Sequence, residues 1–514
     1  MDRAEKFRRL VCTDAVRRDL RSRSVRAAGF TWAAGIADFV LRVGSTAVLA
    51  RLILPQQFGL VMMVTAVTAV ADQFRDLGLS TATVQRKEIS HQQVTNLFWI
   101  NVLAGVGIAS IIAAVSPLVS AYYEEPRLTL ITCILATNFV WGGLVVQHEA
   151  LLARTLKLGQ IAAVRVLSSI ISTVVAVLLA WKGFGYWALI WKEVVRWALL
   201  TVGMWICLPW LPGLPYRNAE VKGLIHFGAH LSAANILVSI TAGADRFLLG
   251  KFWGAAAVAL YRQAYQLLVV PMDQLLGPVF QVTQPGLSML QTEDAKYRHF
   301  YQKVLTVVCI ATMPVSLFVA ATAAEITSVL LGPKWLECTN VLVILSLATF
   351  IKEPVAWSAH VLITRGNSRR YLHLTVLQNV TLIVFMLIGV RWGITGLAAA
   401  NLMATYLLAV PTTYLSLQGS PVTLRIFSTT VARPAAASMV MSLVVVLLHY
   451  LLPSVGAPAF LLLASAIGAG SFVTIWMMLP GGKAELAALV ADTRAAVRRR
   501  AVVGKPVEPV AVAT

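Results

Sequence analysis

Apolar runs of about 20 residues recur from residue 28 to residue 479, separated by short connections, and each is long enough to cross a ~30 Å hydrocarbon core as a helix. In lipid every backbone N–H and C=O must find a partner inside the chain, so only helices and closed barrels are open to such a sequence. A barrel would alternate apolar and polar residues, whereas Leu443 to Leu448 is apolar on every side. Lipid is also the solvent that the composition requires: 58% of residues are hydrophobic, 13% are charged, and the mean hydropathy is +0.75. The expected fold is an all-α polytopic membrane protein of about 14 transmembrane helices. They fall near 28–53, 58–77, 94–117, 128–147, 159–181, 184–208, 224–244, 256–280, 301–322, 339–362, 371–390, 393–416, 428–451 and 457–479.

An even number of spans puts both termini on one side, and the basic residues say which. Arg3, Lys6, Arg8, Arg9, Arg17, Arg18, Arg21, Arg23 and Arg26 precede the first span, and Arg494, Arg498, Arg499 and Arg500 follow the last. The loops on that side carry Arg86, Lys87, Arg154, Lys157, Arg217, Lys222, Lys296, Arg298, Arg365, Arg369, Arg370 and Arg425, which marks it as cytoplasmic. Basic loops against an anionic leaflet account for the net charge of +20 without nucleic acid as a partner. Residues 1–27 lack an apolar h-region and read as a basic cytoplasmic segment, and 481–514 reads as a basic tail with an amphipathic helix near 484–500. Cys12, Cys133, Cys207, Cys309 and Cys338 have no metal-site spacing, and no cofactor is expected. His226 and His230 stand four apart, but no third ligand accompanies them, so hydrogen bonding or packing is the expected role.

The short connections leave no room for a catalytic domain or a nucleotide-binding loop, so an enzyme is not expected and a secondary transporter or flippase is. An internal repeat supports this. Ser116–Pro126 is echoed by Ala324–Pro333, Gly183-Phe-Gly-Tyr-Trp-Ala-Leu by Gly393-Ile-Thr-Gly-Leu-Ala-Ala, and Arg51 by Arg246. The expected organisation is an N-lobe over 28–208 and a C-lobe over 209–420, six spans each, related by a pseudo-two-fold axis along the membrane normal. Two extra helices over 421–480 follow, and a substrate cavity is expected between the lobes.

Arg51-Leu-Ile-Leu-Pro-Gln-Gln-Phe-Gly-Leu60, Asp76-Leu-Gly-Leu-Ser-Thr-Ala-Thr-Val-Gln-Arg-Lys87 and Asn96-Leu-Phe-Trp-Ile-Asn101 resemble the polysaccharide-exporter branch of the multidrug/oligosaccharidyl-lipid/polysaccharide flippase superfamily, of the colanic-acid and succinoglycan exporter type. Asp245-Arg246-Phe-Leu-Leu-Gly, Tyr261-Arg-Gln-Ala-Tyr265 and Leu331-Gly-Pro-Lys-Trp335 look like the second lobe of that family. The resemblance implies a flippase that moves a polyprenyl-diphosphate-linked oligosaccharide across a bacterial cytoplasmic membrane by alternating access, with 426–480 forming a groove for the lipid tail. Implied partners are the lipid-linked glycan, membrane lipids, and the polymerase and glycosyltransferases of the same pathway. A cation-coupled small-molecule exporter of the same superfamily and a non-transporting scaffold for polysaccharide assembly are the alternatives.

Charge within a span costs ~2.5–3.5 kcal/mol at the helix centre unless it is paired or faces water, so intramembrane charges are the candidate site residues. Asp38 and Arg42 are four apart, suited to a self-neutralising pair or to a cavity wall. Lys192, Glu193 and Arg196 combine two bases with one acid, which leaves a positive charge for a phosphate. Arg262, Gln266 and Asp273 share a helix face beside Pro271, as a cavity lining or as a seam between helices. Lys352 and Glu353 precede Pro354 and are expected to pair structurally. Asp72, Arg75 and Asp76 near one end of span two, and Asp245 and Arg246 after span seven, are expected at the membrane interface.

Overall fold

The computed structural model describes residues 20–76, 78–86, 89–216 and 222–483, and within these it leaves the side chains of 20–33, 82, 85, 222–242, 278 and 282 aside. The basic residues before residue 20, Cys12, Lys87, Arg217 and the tail from 484 lie outside the described residues, as do the side chains of Arg21, Arg23, Arg26, Lys222, His226 and His230.

Among the described residues there are helices and no strand. In chain order they are α1 (Leu20–Leu52), α2 (Pro55–Asp72), the short α3 (Leu79–Gln85), α4 (His91–Tyr123), α5 (Arg127–Arg154), α6 (Leu158–Trp181), α7 (Tyr186–Cys207) and α8 (Lys222–Met289). There follow α9 (Asp294–Ala321), the short α10 (Ala323–Leu330), α11 (Thr339–Thr364), α12 (Ser368–Gly389), α13 (Gly393–Leu417), α14 (Leu424–Leu451) and α15 (Ala457–Met478). The 68 residues of α8 are two helices joined at Gly254, whose φ of 78° and ψ of −175° interrupt the helix. Such a positive φ is open to glycine and strained for other residues, so Gly254 sets where the chain turns back. With α8 read as two arms, the 14 long helices match the 14 expected spans.

Eight stretches are long and apolar enough to count as spans by hydropathy alone: α4, α5, α6, α9, Pro333–Thr364, Ser368–Leu417, α14 and α15. The other long helices, α1, α2, α7 and α8, carry Asp38 and Arg42, Asp72, Lys192 with Glu193 and Arg196, and Asp245 with Arg246 and Arg262. These charges mark where polar groups gather.

The chain divides into two compact units. The first comprises the described parts of Met1–Leu267 with Thr327–Leu342 and Val376–Ala404. Its packing centres include Val94, Phe98, Leu151, Leu200, Met204 and Trp210, which join α4, α5 and α7. At one point the first unit needs bare backbone: a Cβ at Gly59 on α2 would lie 1.7 Å from the Ala255 carbonyl oxygen, just past the turn of α8. The second unit comprises Leu268–Ile326, Val343–Thr375 and the described part of Thr405–Thr514. Buried Trp357, Tyr297, Tyr301, Leu305 and Phe427 knit α9, α11 and α14 there, and Val445, Phe460 and Ala464 lay α15 on α14.

One landmark of the repeat needs correction. Arg246 does not stand just past span seven as Arg51 stands at the end of α1, because the first arm of α8 continues unbroken to the turn at Gly254.

The close approach at Gly59 gives a prediction. Gly59→Ala forces α2 and α8 apart and is expected to lower the melting temperature of the detergent-purified protein, by an amount equivalent to about 1–3 kcal/mol. Gly107→Ala on α4, where a Cβ would meet nothing within 4 Å, serves as the control and is expected to leave it unchanged or slightly raised. Equal melting temperatures for the two variants would contradict the packing described.

Candidate functional site

The first unit encloses a polar cavity of about 400 Å³. α1 supplies Asp38, Arg42 and Ser45, α2 supplies Phe58, Met62 and Thr65, α6 supplies Ser169, Ser172 and Thr173, α7 supplies Lys192, Glu193 and Arg196, and the second arm of α8 supplies Gln266. Helical spacing explains the convergence, since residues three or four apart share a face: 38, 42 and 45 on α1, 169, 172 and 173 on α6, and 192, 193 and 196 on α7.

Within the cavity most charge is matched. Arg42 Nη2 lies 3.0 Å from Asp38 Oδ2, and the Ser169 hydroxyl donates to Asp38 Oδ1 at 3.0 Å. Arg196 Nη2 donates to Glu193 Oε2 at 2.7 Å. Lys192 differs, because its ammonium donates to the Ser45 hydroxyl at 2.8 Å and forms no ion pair among the described residues. Three cations therefore share the cavity with two carboxylates, and the surplus positive charge resides where only a neutral oxygen meets it.

Behind this wall stands a second charged group. Arg262 Nη1 lies 3.3 Å from Asp245 Oδ2, and the Arg246 amide donates to Asp245 Oδ1 at 2.8 Å. Arg246 Nη1 reaches forward to the hydroxyl of Thr65 at 3.1 Å, and Thr65 lines the cavity. Asp245 and Arg246 are buried inside the protein, being 5% and 8% exposed. The turn at Gly254 folds the second arm of α8 beside the first, which brings half-buried Arg262 onto buried Asp245. Arg262 also covers the Tyr265 ring at 4.6 Å.

Arg75 is likewise enclosed by the protein: it pairs with Asp72 and inserts between Phe139, 5.1 Å away, and Trp197, 4.2 Å away. Arg196 approaches Trp197 as well, at 5.0 Å, so one indole serves two guanidiniums. The cation–π contacts compensate for water that Arg75 has lost. Asp76 instead accepts from the backbone N–H and the hydroxyl of Ser80 and so fixes the start of α3.

Of the candidates read from sequence, the cavity gathers Asp38, Arg42, Lys192, Glu193, Arg196 and Gln266. Arg262 stands behind it, paired with Asp245 and linked to the cavity wall through Arg246 and Thr65. Asp273, Lys352 and Glu353 belong to the second unit, where Lys352 Nζ lies 3.9 Å from Glu353 Oε1 and Glu353 is 6% exposed. The hydroxyls of Ser45, Thr65, Ser169, Ser172 and Thr173 were not singled out from sequence. Ser168-Ser169 and Ser172-Thr173 one turn apart in an otherwise apolar helix were the available signal.

Residues 48–340 match the family model described as "Polysaccharide biosynthesis protein". The chain is 28% identical over 344 residues to the lipopolysaccharide biosynthesis protein WzxC of Escherichia coli K12, covering 65% of this chain and 68% of that one. It is 21% identical over 303 residues to the teichuronic acid biosynthesis protein TuaB of Bacillus subtilis 168, covering 59% of this chain and 63% of that one. In structure it resembles the lipid II flippase MurJ in an inward closed conformation, with a TM-score of 0.69 at 12% identity over 88% of this chain and 98% of MurJ. It also resembles an inward-facing multidrug resistance MATE transporter, with a TM-score of 0.58 at 12% identity over 76% and 95% of the two chains. Both likenesses are of fold.

The Asp245 group yields an asymmetric expectation. Asp245→Asn leaves the buried Arg246 and half-buried Arg262 guanidiniums without their acid and is expected to cost about 3–5 kcal/mol, whereas Arg262→Gln leaves Arg246 beside Asp245 and costs less. A double-mutant cycle on thermal unfolding is expected to show coupling between 245 and 262 and none between 262 and 273. Coupling of 262 to 273 instead would refute the pairing.

Proposed function

The chain belongs to the polysaccharide biosynthesis protein family matched over 48–340, and from that membership we propose that it is a flippase for a polyprenyl-diphosphate-linked oligosaccharide. The observation that carries the proposal is the polar, net-positive cavity lined by hydroxyls inside an otherwise apolar helical bundle. A diphosphate headgroup needs cations within the membrane, and sugar hydroxyls need neutral donors and acceptors. Lys192, opposite Ser45, offers the charge; Thr65, Ser169, Ser172 and Gln266 offer the rest. The prenyl tail can stay in lipid or along α14 and α15, whose surfaces expose Leu443, Leu447, Leu462 and Met478.

The protein resides in a bacterial cytoplasmic membrane with both termini inside. Support comes from the order along the chain: Arg86, Arg154, Lys296, Arg298, Arg365, Arg369, Arg370 and Arg425 all fall in or beside alternate connections between the long helices. Its partners are the lipid-linked glycan, the surrounding lipids, and the glycosyltransferases and polymerase that make and consume that glycan. No observation favours a small-molecule exporter, since the cavity has a basic surplus and one aromatic ring, Phe58, where an organic cation would need acid and several rings.

Deletion is expected to accumulate lipid-linked oligosaccharide on the inner leaflet, followed with radiolabelled sugar precursors. Lys192→Gln is expected to lower export by roughly ten- to hundred-fold, the worth of a charge-assisted contact, while Lys192→Arg retains much of it. Unchanged surface polysaccharide with no trapped intermediate in the deletion strain would sink the proposal.

A further inference from the structure

The two sequence runs Arg51–Leu60 and Leu331–Trp335 are nearly 280 residues apart, yet they meet in the first unit and complete one another. A helix C-terminus leaves its last carbonyls without intrahelical donors. α1 ends at Leu52, and its carbonyls at Ala50 and Arg51 are taken by the Trp335 indole N–H at 2.9 Å and the Lys334 ammonium at 3.3 Å. In return Arg51 Nη2 donates at 2.6 Å to the carbonyl of Val329, in the last turn of α10. Each helix end is therefore capped by a donor that the other segment supplies.

Packing reinforces the exchange. Trp335 is fully buried, and the edge of Phe58 meets its ring at 5.3 Å and 84°. One residue on, Gly59 touches the Ala255 backbone, and Lys251 binds Glu124 at 2.8 Å beyond the end of α4. Helix order places all of these at one end: α1, α4 and the first arm of α8 finish there, and α2 and α11 start there. Phe58 lies at the seam, for it touches Trp335 on one side and lines the polar cavity on the other.

We propose that Arg51, Lys334 and Trp335, with Phe58, form a latch that closes this end of the cavity and must release for the cavity to open there. The composition suits a reversible contact. Arg51 and Lys334 are exposed, so water can replace their hydrogen bonds on opening, while buried Trp335 supplies a single seat that defines closure. Its placement outside the cytoplasm rests on the membrane orientation proposed above; the latch itself does not depend on the substrate.

Access to the cavity tests it directly. Thr46→Cys lines the cavity, and a membrane-impermeant maleimide reports from which side it is reached, read against the same chain without Thr46→Cys in intact cells and inverted vesicles. With the latch intact, labelling from the latch side is expected to be slow. Trp335→Phe keeps the ring against Phe58 but removes the N–H, and Arg51→Gln removes the reciprocal cap. Each is expected to raise labelling from the latch side by about five-fold, and the pair by more, as losing one hydrogen bond shifts a two-state balance. If the double variant is produced normally and is labelled from the opposite side as the parent is, yet its latch-side labelling is unchanged, the latch is wrong. If Trp335→Phe fails to fold, exposed Arg51→Gln alone carries the test, and lower yield without a change in the ratio of the two sides means packing only. Because the maleimide reads access, normal labelling with no export in any strain would count against the glycan reading and leave the latch standing.

Discussion

Lipid offers no hydrogen bonds, so every charge carried into the membrane must meet another polar group of the chain or water. The organisation of the first unit follows from that constraint. α1, α2, α7 and α8 carry charged residues that hydrocarbon cannot satisfy, and they turn those residues toward one cavity or toward one another. Asp38 meets Arg42, Glu193 meets Arg196, Asp245 meets Arg246 and Arg262, and Arg75 is held between two rings. Lys192, met by a hydroxyl, stands out against this background because the rest of the charge is so closely matched.

The same constraint acts on helix ends. Exposed carbonyls at the close of α1 and α10 are satisfied by side chains from distant sequence, and this ties local helix termination to long-range structure. The linker after α7 is held likewise: Asn96 binds both the carbonyl and the N–H of Tyr216 at 2.7 Å, and the Trp99 indole donates to the Gly213 carbonyl at 2.8 Å. Sequence runs that look like family landmarks are thus places where backbone polar groups would otherwise go unpaired. Arg51 and Trp335 satisfy one such place, Asn96 and Trp99 another.

Several partnerships could not be read from spacing. Arg262 and Asp273 share a helix face eleven residues apart, but a turn at Gly254 gives Arg262 a nearer acid in Asp245. Asp72 and Arg75 have the pattern of interfacial charge, and burial of Arg75 became visible only with Phe139 and Trp197 on either side. The serines and threonines of α6 are inconspicuous in sequence, since such residues commonly bond their own helix backbone, and they matter here because Asp38 and Lys192 lie across from them.

What the sequence determined by itself was the helical membrane fold, the number of long helices and which helices bear intramembrane charge. Those depend on hydropathy and on helical period, which are local along the chain. The tertiary structure decided which charges share a cavity, which acid serves Arg262, and that Arg51 and Trp335 are mates. Pairing depends on distances between helices, and those are set by contacts such as Gly59 on Ala255 and by the turn at Gly254, where the determining fact is how closely two backbones approach.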